Sequence, residues 1–227
     1  MDYSQPWATA LRKHARFLKP AISLWRRMTA ARYEDAFERA ILQHIAPGDC
    51  VWDIGANVGH YTRQFAQAVG NHGKVVAFEP SPRTVETLIS ATRDLPAVSV
   101  HPVGLADKAS EMSFYLDPTG SSTLDSLRPM DGATETKVQI RRGDDFLGQN
   151  PPNIIKIDVE GFEKEVIDGM KQTLRAASLR AVFVEVHFRT LEQRGLTQAP
   201  ADIAAALKGA GFGVKWTDAS HIAAVRK

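Results

Sequence analysis

Short apolar runs alternate with segments of helical period from about residue 50 onward, and this rhythm constrains the fold more than any other feature of the chain. Val51–Ile54, Lys74–Phe78, Val98–Val103, Asn153–Ile157 and Arg180–Val186 read as strands. Helical spacing falls between them, at Tyr61–Val69, Thr84–Leu95, Lys164–Leu174 and Ala201–Ala210. Alternating strands and helices imply a mostly parallel sheet with helices on both faces. The end of the chain breaks the pattern. Gly213–Trp216 and His221–Val225 are joined by Thr217-Asp218-Ala219-Ser220, a hairpin-like signal that makes the last strand antiparallel.

A chain of 227 residues fits one domain with an extension and can bury roughly 70% of its unfolded surface, so it needs neither disulfide nor metal for stability. Its single cysteine, Cys50, excludes an internal disulfide. The net charge of +2 argues neither for nor against a nucleic-acid partner. No apolar run approaches the ~18 residues of a transmembrane helix, and the N-terminus lacks the apolar core of a secretory signal. A soluble cytoplasmic protein is the expectation.

The charge is unevenly placed. Residues 1–32 carry seven basic side chains against one acid, interleaved with Trp7, Leu11, Phe17, Ile22 and Trp25. They read as a basic amphipathic helical extension broken near Pro20. The expected roles are a helical cap or homodimer contact, with a membrane-surface anchor as the alternative. The main domain is expected over 33–227, beginning with a helix through Tyr33, Phe37, Ile41 and Ile45. Within it, about 107–150 reads as an insert, in which Met112–Leu116 and Lys137–Arg141 pair as a β-hairpin around a polar loop.

Candidate functional residues fall at strand tips, where open parallel sheets bind their ligands. The first strand runs into Asp53-Ile54-Gly55-Ala56-Asn57-Val58-Gly59. Gly55 permits a tight turn, Gly59 lets the next helix start close to a ligand, and that helix's free N–H groups suit a carboxylate. Asp53 is expected near a ligand ammonium. Glu79, at the tip of the second strand, can accept two hydrogen bonds from ribose hydroxyls, and Pro80-Ser81-Pro82 turns the chain away behind it. A nicotinamide enzyme shares the Gly-rich turn and the second-strand acid. Here, however, Asn57 stands where the second glycine of the Gly-x-Gly-x-x-Gly fingerprint would be. S-adenosylmethionine has no phosphate and does not need that glycine. Asp158 ends the fourth strand, and Glu185 and His187 leave the fifth two residues apart. These three are the candidates for receiving a proton from a methyl acceptor, Asp158 and His187 first and Glu185 in reserve.

These motifs resemble those of the FkbM-type methyltransferases. Asp53, Gly55, Asn57 and Gly59 match the family's Asp-x-Gly-x-Asn-x-Gly loop, and Glu79-Pro80 its Glu-Pro strand end. Ile155 to Gly161, then Glu163, match Ile-Lys-Ile-Asp-Val-Glu-Gly-x-Glu, the most specific segment. Val103-Gly104-Leu105-Ala106-Asp107 is similar to the segment whose loop borders the adenine, with Gly104 where alanine is more usual. The resemblance implies a Rossmann-like class I methyltransferase fold with a seven-stranded sheet. It implies S-adenosylmethionine as cofactor and S-adenosylhomocysteine as product. The cofactor would touch Asp53, Gly55, Asn57, Gly59, Glu79, Pro80, Gly104, Leu105 and Asp158. It also implies O-methylation of a sugar, glycan or natural-product hydroxyl. RNA or protein methylation, or an idle cofactor-binding protein, are the alternatives.

Two decoys are set aside. Asn150-Pro151-Pro152-Asn153 precedes the fourth strand and lacks the aromatic of an amino-methylating loop, so it reads as a turn. Asp144, Asp145, Asp158 and Glu160 suggest a hard-metal site such as magnesium, but scattered carboxylates are more often solvated or cofactor-facing, and no metal is expected. The acceptor itself carries no readable code.

Overall fold

The computed structural model describes residues 36–117 and 132–226. The basic segment 1–32 and the polar tract 118–131 lie outside the described residues, as does Tyr33. A helix at 36–42 (α1) leads into β1 (Cys50–Ile54), α2 (His60–Val69), β2 (Lys74–Phe78), α3 (Pro82–Thr92), β3 (Val98–His101) and β4 (Gly104–Leu105). Then come β5 (Ser110–Leu116), β6 (Thr134–Arg141), β7 (Ile154–Ile157), α4 (Glu163–Asp168), β8 (Ala181–Glu185), α5 (Phe188–Gln193), α6 (Ala199–Gly209), β9 (Gly213–Trp216) and β10 (His221–Val225).

Seven strands form the main sheet in the order β3-β2-β1-β7-β8-β10-β9. β1 pairs in parallel with both β2 and β7, and β7 in parallel with β8. β10 inserts between β8 and β9, antiparallel to both. The sheet order reverses direction at β1, so the crevice at the carboxyl ends of β1, β2 and β7 is the switch point where a ligand is held. β1, β7 and β8 are buried on both faces, which is why their sequences are nearly all apolar. Trp52, Ile155, Ile157, Val182 and Val184 pack one side of the sheet against α4 and α6, and Val51, Val75, Ile154 and Phe183 pack the other against α1 and α2.

β5 and β6 pair antiparallel from Ser110↔Ile140 to Leu116↔Thr134, and β4 joins β6 in parallel as a third strand. This small sheet has its own core of Ala106, Phe114, Val138 and Ile140. The two-residue β4 was too short to show as a period in the sequence. Another difference follows from close packing. The helix expected over Lys164–Leu174 stops at Asp168: the Gly169 carbonyl accepts from the Asp144 N–H at 3.1 Å, and Ala106–Asp107 passes so near that a Cβ at 169 would lie 2.0 Å from the Ala106 oxygen. The chain re-forms as a 3₁₀ turn at Thr173–Arg175, held by Asp144. No helix among the described residues is long and apolar enough to cross a membrane.

Asp144 thus serves this corner. It accepts from the Gln172 and Thr173 N–H groups at 3.1 and 2.8 Å and from the Thr173 hydroxyl at 2.9 Å. Asp145 is paired with Arg141 and Arg142, each at 3.5 Å. Hydrogen bonds to a charged group contribute about 1.5–3 kcal/mol. Asp144→Ala is therefore expected to lower the urea unfolding free energy by about 2–3 kcal/mol while cofactor affinity stays near wild type, measured by denaturation and calorimetry.

Candidate active site

The loop after β1 is shaped by steric exclusion. Gly55 has φ +78°, and a Cβ there would lie 1.8 Å from the backbone oxygen of Asp158, so only glycine lets the β1 and β7 tips come together. Asn57 also has positive φ, at 50°, a conformation asparagine tolerates better than most side chains. This turn aims the Asn57 N–H at Glu79 Oε2, 3.0 Å away, while the Ser81 N–H donates to Oε1 at 2.9 Å. Both oxygens of Glu79 are thereby oriented, and each keeps lone pairs for further donors such as ribose hydroxyls. Burial pushes the Glu79 carboxyl up to about 7, against the pull of its two N–H partners and Lys156. Pro80 and Gly104 lie side by side, the Cβ position of Gly104 being 3.5 Å from Pro80 Cβ. A Cβ at Gly104 would also lie 2.8 Å from Ile140 Cδ1, so a larger residue there would displace the end of that side chain. Leu105 is buried in the main core, so it can offer a ligand only its backbone.

Asp53 has no exposed surface. It accepts from the Thr62 hydroxyl at 2.6 Å and pairs with Lys156 Nζ at 3.2 Å. Any influence on a ligand ammonium therefore passes through this buried pair as field, not as direct contact. Lys156, matched within the Ile-Lys-Ile-Asp-Val-Glu-Gly segment but given no role from it, is the residue the structure adds to this corner. It is 1% exposed, donates to the Gly55 carbonyl at 2.9 Å, lies 3.7 Å from Asp158 Oδ2, and stands 5.1 Å from the centre of the Tyr61 ring. Burial pulls its pKa down, but Asp53 and Asp158 outweigh that and hold the ammonium above its usual range. The available signal was a single lysine inside the otherwise apolar strand Ile154-Ile155-Lys156-Ile157.

The structure brings Asp158, Glu185 and His187 together. The His187 Nδ1–H faces Glu163 Oε1 at 2.8 Å, and Glu163 is fully buried. Nε2 faces Glu160 at 3.2 Å, Asp158 at 3.7 Å and Glu185 at 3.9 Å. Carboxylates can only accept, so an imidazole between them is held as the cation. Burial works against that charge, but the Glu163 bond and the surrounding acids push His187 up to about 10. A proton-accepting His187 requires the neutral ring, which this setting disfavours. Asp158 is raised, chiefly by burial, whereas the Glu160 side chain is 75% exposed. Glu185 is also penalised by burial, yet the His221, His187 and Lys156 charges beside it bring it below its usual range. One donor atom each from Asp158, Glu185 and His187 lie within 4.8 Å of one another, a set that could hold a divalent cation.

A seven-stranded sheet with an inserted antiparallel strand, a glycine loop at the switch point and an acid at the second strand tip define a class I S-adenosylmethionine-dependent methyltransferase. The model of the methyltransferase FkbM domain matches residues 53–214, and the chain belongs to that family. It is 31% identical over 180 residues to the hexuronic acid methyltransferase AglP of Haloferax volcanii, covering 76% of this chain and 70% of that protein. It is 28% identical over 219 residues to the 31-O-demethyl-FK506 methyltransferase FkbM of Streptomyces tacrolimicus, covering 80% and 81%. In fold it is similar to the methyltransferase FkbM of Methylobacillus flagellatus KT, with a TM-score of 0.52 at 14% identity. That match covers 82% of this chain and 50% of the Methylobacillus chain.

Two expectations follow. Only the ionised Glu79 can accept from both hydroxyls of a ribose, so adenosylmethionine affinity should fall as pH drops through about 7 and level off above it. Calorimetry at pH 6, 7 and 8 reads this directly, and Glu79→Gln should weaken binding by about 1.5–3 kcal/mol and flatten the pH dependence. Removing one partner of a buried ion pair costs about 3–5 kcal/mol, so Lys156→Met, which strands Asp53, should lose that much stability in urea denaturation.

Proposed function

We propose that this enzyme methylates a hydroxyl oxygen of a sugar, glycan or natural product, at the crevice where Asp158, Glu185 and His187 meet beside the glycine loop. The observation that carries this reading is the cluster of carboxylates around a single imidazolium at the tips of β7 and β8. The relatives named for hexuronic acid and FK506 methylation support the acceptor class.

Gly55, Asn57 and Gly59 shape the loop that takes the cofactor's amino-acid end, and Glu79 takes the ribose. Pro80, Gly104 and the Leu105 backbone border the adenine. S-adenosylmethionine, when bound, supplies the electrophilic methyl group. Asp158 receives the acceptor's proton: it stands at the tip of β7, burial raises its pKa, and Lys156 and His187 keep it in place. Glu185 accepts from a neighbouring hydroxyl and orients the acceptor. His187 offsets the charge of the acids around it, which would otherwise repel one another. A magnesium ion is not needed for these steps. The lone, half-buried Cys50 is in keeping with a reducing, cytoplasmic setting.

Titration with adenosylmethionine and with NAD, followed by a methyl-transfer screen of sugars, natural-product alcohols and RNA, tests this reading. Binding of adenosylmethionine but not NAD, with transfer to an alcohol, is expected. Tighter NAD binding, or transfer to RNA alone, would overturn it. Asp158→Asn should cut turnover by about 10²–10⁴-fold, as expected for loss of a proton acceptor. Activity unaffected by magnesium or by a chelator is the expected result of the same assay.

A further inference from the structure

His221 lies outside every motif matched above, yet its position is specified from three sides. In the register of β10 against β8 its Cα partner is Glu185. Its Nε2 lies 3.5 Å from Glu185 Oε2. On the other side Nδ1 lies 2.7 Å from Asp218 Oδ2, and the Ser220 hydroxyl is 3.3 Å from the same nitrogen. The Asp218 carboxylate is itself fixed, accepting from the Ser220 and His221 backbone N–H groups at 2.8 and 2.9 Å. The Phe37 ring of α1 covers the imidazole face, with ring centres 4.1 Å apart. Two acceptor-only carboxylates on two ring nitrogens require both to carry protons. The ring is therefore held as a cation between the two carboxylates.

A plain structural role does not account for this arrangement. Filling the space under Phe37 needs only an apolar ring, and burying a charged one costs free energy unless both ends are bonded. The bonds run in one direction, from the β9–β10 turn through His221 to Glu185, whose other oxygen faces His187 at 3.9 Å.

We propose that His221 is a positioning residue for methyl transfer: braced by Asp218 and backed by Phe37, it holds the Glu185 carboxylate at the crevice so that Glu185 can orient the acceptor. The proposal rests on the reading of that crevice as the acceptor site. Without the His221 donor, Glu185 turns toward His187 or into solvent, and the acceptor oxygen loses its alignment. A misplacement of about 1 Å can cost roughly 10²-fold in rate.

Three variants separate positioning from packing. His221→Phe keeps the ring on Phe37 but deletes both donors. His221→Asn keeps a donor only where Nδ1 was, toward Asp218. His221→Gln places an amide donor where Nε2 was, toward Glu185. With methyl α-D-glucoside as the hydroxyl probe, His221→Phe and His221→Asn should lower kcat about 10–100-fold, with adenosylmethionine Kd unchanged. His221→Gln should recover at least tenfold of that loss. Wild-type kcat in His221→Phe, or equal losses in Gln and Asn, overturns the proposal. Nitrogen-15 NMR of histidine-labelled full-length protein at fixed pH supplies a second readout that needs no acceptor. The Nε2–H of His221 should appear as a slowly exchanging, low-field signal that moves in Glu185→Gln. If wild type methylates neither the glucoside nor any alcohol of the screen above, the acceptor reading fails and the NMR arm decides: a signal insensitive to Glu185→Gln overturns the proposal.

Discussion

An ammonium in the middle of a parallel sheet has to be neutralised where it stands, and the site is organised around how Lys156 meets that demand. Its three partners come from three places: Asp53 on β1, the Gly55 carbonyl in the following turn, and Asp158 just past its own strand. The β1 and β7 tips can therefore separate only by leaving a charge unpaired in the core, which costs several kcal/mol. The same closeness dictates glycine at 55, since the Asp158 carbonyl occupies the space a side chain would take. The loop, the buried acid below it and the acid beside it thus form one construction, in which Lys156 is the common member.

Charge then explains why a cationic cofactor and this crevice suit each other. Six carboxylates (Asp53, Asp158, Glu160, Glu163, Glu185 and Asp218) face three cations, Lys156, His187 and His221. The balance is negative, and it is set by partly buried groups, between which fields are stronger than in water. A sulfonium is attracted to such a place. Once its methyl is gone the cofactor is neutral, and the attraction that held it weakens.

Much of this was legible before any coordinates, because strand tips and glycine turns leave local marks. The pattern at Asp53 to Gly59, the acid at Glu79, and Asp158, Glu185 and His187 all follow a strand directly, and the topology of a parallel sheet brings strand tips together. Lys156 was visible as one charge within an apolar strand and as a member of the Ile-Lys-Ile-Asp-Val-Glu-Gly segment, but neither told its partners. His221 and Asp218 were not legible at all. Their relation to Glu185 exists because β10 inserts antiparallel between β8 and β9, and hydrophobic period carries no record of which strand becomes whose neighbour. The protonation of His187 was hidden for a similar reason, since Glu163 and Glu160 reach it from the far side of a turn.

The two histidines divide the work by their settings. Each has an acid on both ring nitrogens, and each is a cation for that reason. His187 faces the crevice with Nε2 near three carboxylates, whereas His221 is buried and faces one of those three, Glu185, from behind. Glu185 sits between two imidazolium rings, the one acid of the crevice whose pKa is drawn below the usual range. Asp158 has Lys156 and His187 beside it but is more strongly penalised by burial, and its pKa rises. Neighbouring carboxylates with pKa values moved in opposite directions suit the division of roles proposed above, in which Glu185 orients and Asp158 takes the proton. That setting depends on the strand order, since β10, paired with β8, is what brings His221 beside Glu185.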